Sequence, residues 1–341
     1  MTRILAVARR VLLQLRGDRR TLALMLAAPL LLLTLLWLIL DAAPYPPRLA
    51  AVNVREPFVA ALRKSNATVA VLDGDAAERA LRRREIDAVV EWRGGRIRLR
   101  LEGSDPAKAA AVRAALVDAI RRSLPVAPPD PDVEFLHGSP GANAFVHIGP
   151  VLLGFLVFFF TFIVSGITFV HERQTGTLER MLSTPVRRHE VVLGYLLGFA
   201  AVVALQSTLM TVHSLHVLGM MLAGSFAWLL LVVLLLAATA LCLGMFLSAY
   251  ARTEFQMLQF IPLVIVPQIF FSGLFPLENM PAWLAAVGRA LPLTYGAEAM
   301  REVMIRGGGG REIWPQLAVL SGLAVLLALG NVRALRRYRG L

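Results

Sequence analysis

Few side chains in this sequence stand where they could do covalent chemistry. A phosphate-binding loop needs a glycine-rich turn followed by Lys and Ser or Thr, so that backbone amides and an ammonium cradle the phosphates. The run Gly307–Gly310 is followed by Arg311 and Glu312 instead, so the chain is not expected to hydrolyse ATP unaided. Its six histidines form no strong metal set. His213 and His216 are spaced i, i+3 with no Cys or carboxylate beside them, and an interfacial role is expected over a ligand pair. No Ser, His and Asp come together within an apolar segment, so neither a catalytic residue nor a bound metal or cofactor is expected. Cys242 is the single cysteine and lies in an apolar run, which excludes an intrachain disulfide.

Carboxylates are informative by position. Ion-coupled carriers keep Asp or Glu within their spans at a cost of roughly 2.5–3.5 kcal/mol on insertion scales. Here Glu172, Glu190 and Glu254 sit at the ends of apolar runs, and Glu278 and Glu298 lie between two of them. That argues against a proton- or cation-driven carrier or an autonomous channel. The polarity inside the runs is milder: Thr161, Ser165, Gln206, Ser207, Thr208, Gln259, Gln268 and Ser272. Such groups mostly hydrogen-bond between helices, although a few could line a pathway.

The longest polar interruption between apolar runs in the C-terminal two-thirds is His171–Glu190, with four Arg and three Glu. Thr175 or Thr177 suits a helix N-cap, Gly176 breaks what precedes it, and Pro185 disfavours helix at Thr184. Between them Leu178, Met181 and Leu182 fall at i, i+3, i+4, on one face of a short amphipathic helix. Two readings remain open on spacing alone, a docking helix or a solvated loop.

The elements that must hold this stretch are membrane spans. Of 341 residues 57% are hydrophobic, the mean hydropathy is +0.64, and the net charge is +12. Nearly all the positive charge is Arg beside apolar segments, which fits the positive-inside rule better than nucleic-acid binding. A basic amphipathic helix is expected over residues 1–20, with Ile4, Ala8, Val11 and Leu15 as its stripe, lying in the inner interface. No small-residue cleavage pattern follows the first apolar run, so no cleavable signal is expected. Six spans are predicted at 21–40, 147–170, 191–210, 226–247, 257–275 and 313–332, each long enough for roughly 30 Å of hydrocarbon. Segments 1–20, 171–190, 249–256 and 333–341 carry 6, 4, 1 and 4 Arg, whereas loop 213–225 carries none. Both termini and the His171–Glu190 stretch are therefore expected in the cytoplasm, with a basic tail at 333–341.

Residues 42–143 form a long insert expected outside the membrane. Strand-like runs at 48–54, 67–72, 87–92 and 96–102 alternate with helical patterns at 56–64 and 75–85, with a turn at Gly94-Gly95 and a helix over 106–123. That predicts a small α/β domain, followed by a Pro-rich linker containing Pro125, Pro128, Pro129, Pro131 and Pro140. Between the last two spans, residues 276–311 are too apolar for a free loop. Pro276, Pro281 and Pro292 cut this region into pieces too short to span, which are expected to re-enter the outer leaflet or cap the bundle.

Two stretches carry a family resemblance. The run ERQTGTLERMLSTPV at Glu172–Val186 resembles the cytoplasmic loop between the second and third spans of type-2 ABC exporter permeases. The run FSGLFPLENMPAWL…LPLTYGAEAMR at 271–301 resembles their segment at the outer end of the fifth span. The order of the two motifs matches, and the large insert resembles the drug-exporter branch. The resemblance implies a polytopic α-helical membrane protein in a bacterial inner membrane. It further implies a dimer of permeases, a homodimer or a pair of close paralogues, bound to a separate cytoplasmic ATP-binding subunit that holds ATP and Mg. It assigns Glu172, Arg173, Gly176, Thr177, Leu178, Glu179, Met181, Leu182 and Pro185 to coupling with that subunit. Phe158, Phe159, Phe162, Leu258, Phe270 and Phe271 become candidates for a lining on the dimer axis, with lipid-facing or core packing as the competing reading. Ser272, Gly273, Pro276, Pro281, Pro292 and Tyr295 become candidates for an outer gate, and the cargo implied is amphipathic or hydrophobic. A different class stays open, a membrane-anchored assembly or sensor protein acting through its α/β domain.

Overall fold

The computed structural model describes residues 2–17, 19–40, 45–93, 96–103, 106–123, 144–274 and 281–335. The chain divides into two compact units, one from residues before 42 and after 134, the other from residues 42–134.

The first unit is helical. It contains α1 (Thr2–Gly17), α2 (Arg19–Leu40), α6 (Ala144–Gln174), α7 (Thr177–Leu182), α8 (Arg188–His216), α9 (Phe226–Ser248), α10 (Glu254–Ile269), α11 (Ala282–Arg289), α12 (Pro292–Met304) and α13 (Gly310–Ala334). A π-helical turn, Phe270–Leu274, extends α10. Five of these helices are long and apolar enough to cross a membrane: α6, α8, α9, α10 with its π turn, and α13. The remaining predicted span, 21–40, is helical throughout, but its apolar part is the shorter Met25–Leu40.

The packing explains which spans lie inside. Windows of α6, α8 and α9 are 56%, 56% and 61% buried, against 28% for α10 and 11% for α13. The central helices thus meet protein on most sides, while α10 and α13 keep apolar faces outward. Polar groups inside the bundle partly cross-link it, since an unpaired group in hydrocarbon is costly. Asn331 Nδ2 donates to the Cys242 carbonyl at 2.9 Å and Thr239 Oγ1 to the Leu320 carbonyl at 3.3 Å, joining α13 to α9. Buried Thr161 Oγ1, Gln206 and Ser207 Oγ have no hydrogen-bond partner among the described residues, so the interhelical role expected of them is not realised there.

Two boundaries differ from expectation. Helix α8 runs on to His216, six residues beyond the predicted end at 210. Nothing in Thr211–His216 breaks a helix, and His213 there shares a hydrogen bond with Thr34 Oγ1 of α2, 2.8 Å away. The region after α10 is more deeply built in than a cap would be. In α12, Leu293, Ala297, Ala299, Met300 and Val303 are fully buried, and buried Gln268 accepts from the Leu293 amide at 2.9 Å.

The second unit is a four-stranded sheet with helices on both faces. Strands β1 (Arg48–Val52), β2 (Thr68–Val71), β3 (Ala88–Arg93) and β4 (Arg96–Leu101) take the order β2-β1-β3-β4, with β1 parallel to both neighbours and β3–β4 antiparallel. Alternation along the strands separates two cores. Leu49, Ala88 and Val90 meet α3 (Glu56–Lys64) and α5 (Pro106–Ser123), whereas Ala50, Val52 and Val89 meet α4 (Gly74–Arg82). Buried Asp87 ties the sheet edge by accepting from Tyr45 Oη at 3.0 Å and the Arg48 amide at 2.8 Å. These strands and helices fall on the runs at 48–54, 67–72, 87–92 and 96–102 and on the helical patterns at 56–64, 75–85 and 106–123. Asp41, Pro44, the Gly94-Gly95 turn, the Pro-rich linker and the tail beyond 335 lie outside the described residues.

Candidate functional site

The segment between α6 and α8 is short, and every part of it is fixed by its neighbours. Helix α6 ends at Gln174, and Gly176 then adopts φ +68°, a left-handed conformation that glycine enters without steric cost. Thr175 Oγ1 folds back onto the His171 carbonyl at 3.0 Å and lies 2.9 Å from Thr177 Oγ1. Gly176 itself is the N-cap of α7, in place of the threonines expected from sequence. At the far end the Glu190 carboxylate accepts from the Arg187 amide at 2.7 Å, closing the first turn of α8.

Glu172 is the hub of this end of the bundle. Although it is a carboxylic side chain, it is only 1% exposed. Its Oε2 accepts from Arg10 Nη2 of α1 at 2.9 Å and from Tyr195 Oη of α8 at 3.1 Å. Arg10 Nη1 also donates to Met181 Sδ of α7 at 2.7 Å, so one guanidinium bridges α6 and α7. Burial works against the Arg10 charge, but Tyr195 and Glu172 beside it outweigh that and hold its pKa above the usual arginine value. Three elements therefore meet on one carboxylate, and α7 joins them through Arg10.

Helix α1 reaches this hub because α8 gives it room. A Cβ on Gly194 would lie 2.5 Å from Val7 Cβ, and one on Gly198 would lie 2.8 Å from Val11 Cβ. Hydrogen at these two positions lets the helices approach closely, as small residues do between membrane helices. Val7, Ala8, Val11 and Leu15 are buried. Of the stripe expected to lie in the lipid interface, Ala8, Val11 and Leu15 are turned onto protein and Ile4 is half-buried, because the glycine pair offers a matching surface.

The neighbouring span ends are tied in as well. Arg173 donates to the carbonyls of Ser248 and Ala249 at 3.3 and 3.4 Å and to that of Ala251, following the end of α9. His171 Nδ1 and Glu254 Oε1 lie 2.9 Å apart, linking α6 to the start of α10.

Of the coupling residues predicted from sequence, the structure sorts inward from outward. Glu172 and Leu178 are buried, Arg173, Gly176, Thr177 and Met181 half-buried, and Glu179 and Pro185 exposed. The side chain of Leu182 lies outside the described residues. The idea that Leu178 and Met181 offer an apolar face to a groove in another protein is corrected. Leu178 is 1% exposed and sits in this chain's own core, and Met181 packs on that core too. Among the described side chains, those exposed here are polar: Glu179 and Arg180 of α7 and Ser183 at its C-cap. Sequence reading missed Arg10, Tyr195, Gly194 and Gly198 as site residues. A G-x-x-x-G pair at 194–198 was the one available clue.

Two further predicted groups fare unevenly. Phe158 and Phe162 are fully buried and stack on each other with centroids 6.4 Å apart, and Phe271 is 6% exposed. These three are core residues, which corrects their assignment to a lining, since rings enclosed by their own chain present no surface to a dimer axis. Phe159 is half-buried, whereas Leu258 and Phe270 are exposed at 42% and 49%. At the proposed gate Gly273 takes φ +83°, Ser272 Oγ donates to the Ile269 carbonyl at 2.7 Å, and Tyr295 Oη donates to the Arg289 carbonyl at 2.7 Å. Pro292 is buried at the start of α12, Pro281 is exposed as the N-cap of α11, and Pro276 lies outside the described residues. No group of three or more potential metal ligands occurs among the described residues.

A helical bundle with five membrane-long helices, whose inter-span segment is locked to an N-terminal helix, is the architecture of a multi-pass membrane protein. A family model for the ABC-2 family transporter protein matches residues 19–333, and the chain belongs to that family of type-2 ABC transporter permeases. Among its relatives, ABC transporter G family member 20 of Dictyostelium discoideum is 29% identical over 56% of this chain and 27% of its own length. The inner membrane transport permease YhhJ of Escherichia coli is 28% identical over 47% of this chain and 44% of its own. The linearmycin resistance permease protein LnrN of Bacillus subtilis is 25% identical over 54% and 48% respectively. The chain thus spans less than half the length of each of these relatives.

Proposed function

We propose that this chain is the non-catalytic, membrane-spanning half of an ATP-driven exporter. It works as a dimer of permeases and is driven by a separate ATP-binding subunit that holds ATP and Mg. In this reading α2 is the first of six spans, and α1, the His171–Glu190 segment and the basic C-terminal tail lie in the cytoplasm. The α/β unit and α11–α12 then face outside. The Arg distribution supports that orientation, and the missing phosphate-binding loop supports a partner as the source of energy.

The observation that carries the proposal is the fusion of α1, α7 and the ends of α6 and α8 through Glu172. A push on the exposed Glu179–Arg180 surface of α7 is transmitted to two spans at once, because the segment has no slack at Gly176 or at Arg187–Glu190. The contact with the ATP-binding subunit is accordingly polar, made by Glu179, Arg180 and Ser183 around Pro185. Relatives named for transport and for linearmycin resistance support a transport role, and the cargo in this reading is amphipathic or hydrophobic.

The test is hydrolysis by the purified complex with its ATP-binding subunit. Glu179→Arg should abolish cargo-stimulated turnover while leaving the melting temperature of the permease unchanged. Normal stimulation in this variant would sink the coupling assignment. If deleting residues 48–123 abolished function while Glu179→Arg stayed silent, the sensor or assembly reading would replace it.

A further inference from the structure

The end of the bundle opposite α1 holds a cleft of about 370 Å³. Its walls come from the first turns of α6 (His147, Ile148), the π turn (Leu274), and Arg301 of α12 with Ile305 and Arg306 just after that helix. Three of these residues are basic, three are apolar, and no carboxylate lines it among the described residues.

The basic groups are not equally committed. Arg306 forms an ion pair with Glu302, 2.7 Å away. Arg301 forms none among the described residues. Its Nη2 donates to the Ser272 carbonyl, while its buried Nε has no hydrogen-bond partner there. Burial draws the Arg301 pKa below the usual arginine value, Glu298 opposes this from a distance, and Arg306 adds to it. A guanidinium taken out of water without an acid partner is costly, and its planar fork fits a carboxylate or phosphate. Ile148, Leu274 and Ile305 add an apolar wall beside that charge.

We propose that this cleft binds the anionic head of an amphiphile, a phosphate or carboxylate carried on an alkyl chain, with Arg301 as its main ligand. Arg306 adds field, and the apolar wall takes the first carbons of the chain. The proposal does not depend on the exporter reading. The same chemistry arises in a membrane phospholipid and in an anionic amphiphile from solution, and both approach a cleft within one turn of a span's end.

The experiment titrates the full chain, purified in neutral dodecyl maltoside, with dodecyl phosphate and reads binding by native mass spectrometry. One saturable site is expected, weakened at least about tenfold by Arg301→Gln through loss of charge-assisted hydrogen bonds. Ile148→Trp, which fills the apolar wall and keeps every charge and the Arg301–Ser272 contact, should abolish binding with melting unchanged. Inorganic phosphate should not displace the probe at equal concentration. Unaltered binding in Ile148→Trp overturns the proposal, as does equal competition by inorganic phosphate. In nanodiscs, weaker binding of dodecyl phosphate with phosphatidylglycerol than with phosphatidylcholine assigns the site to lipid, and equal binding assigns it to a soluble amphiphile.

Discussion

Replacing Glu172 by Gln removes the charge at the hub and keeps its shape. The Glu172 side chain is 2% exposed and that of Arg10 33%, so water screens only one partner. A hydrogen bond to a charged group contributes about 1.5–3 kcal/mol, and the exposure of Arg10 places the loss in the lower half, about 2 kcal/mol. Since about 1.36 kcal/mol is a factor of ten, α1 should detach roughly thirtyfold more often. Hydrogen exchange in nanodiscs reads this directly, as loss of protection confined to α1 and α7 with α9 unchanged. A double-mutant cycle of Arg10→Gln with Glu172→Gln should give a coupling of about 1–2 kcal/mol. Unchanged protection of α1, or a coupling below about 0.5 kcal/mol, would refute the view that this contact holds the helix.

Three other perturbations separate packing from chemistry. Gly198→Leu should unseat α1 while Arg10 and Glu172 are intact, because no side chain fits beneath Val11, and exchange in α1 should rise to solvent rates. Gly176→Ala meets no atom within 4 Å, so its cost is purely that of a left-handed residue, about 1–2 kcal/mol, read as faster exchange in α7 alone. Leu178→Ala should lower stability by about 2–5 kcal/mol as a buried truncation, visible in thermal melting; no change would return Leu178 to the surface.

The elements were legible because their causes are local. Short β-rich runs bounded by turn residues marked the four strands, long apolar runs marked the spans, and Gly176 and Pro185 bounded α7. The site was less so. Hydropathy shows that Leu178 and Met181 share a face, but not that α1 and the bundle already cover it. The partner of Glu172 lies 162 positions away on a helix whose arginines all look alike in sequence. Phe158 and Phe162 read equally well as lining or core, and only packing separates the two.

The seating of α1 on Gly194 and Gly198 has a mechanical consequence. Val7 and Val11 repeat every four residues, as do the two glycines they rest on, so the pair of notches is commensurate. An intermediate slide would press valine side chains onto residues that carry a Cβ. A jump by one repeat of four residues, about 6 Å, is blocked as well, because it sets Val11 on Val202 or Val7 on Glu190. An input pulling on α1 along its axis is therefore delivered to α8 rather than lost in slippage.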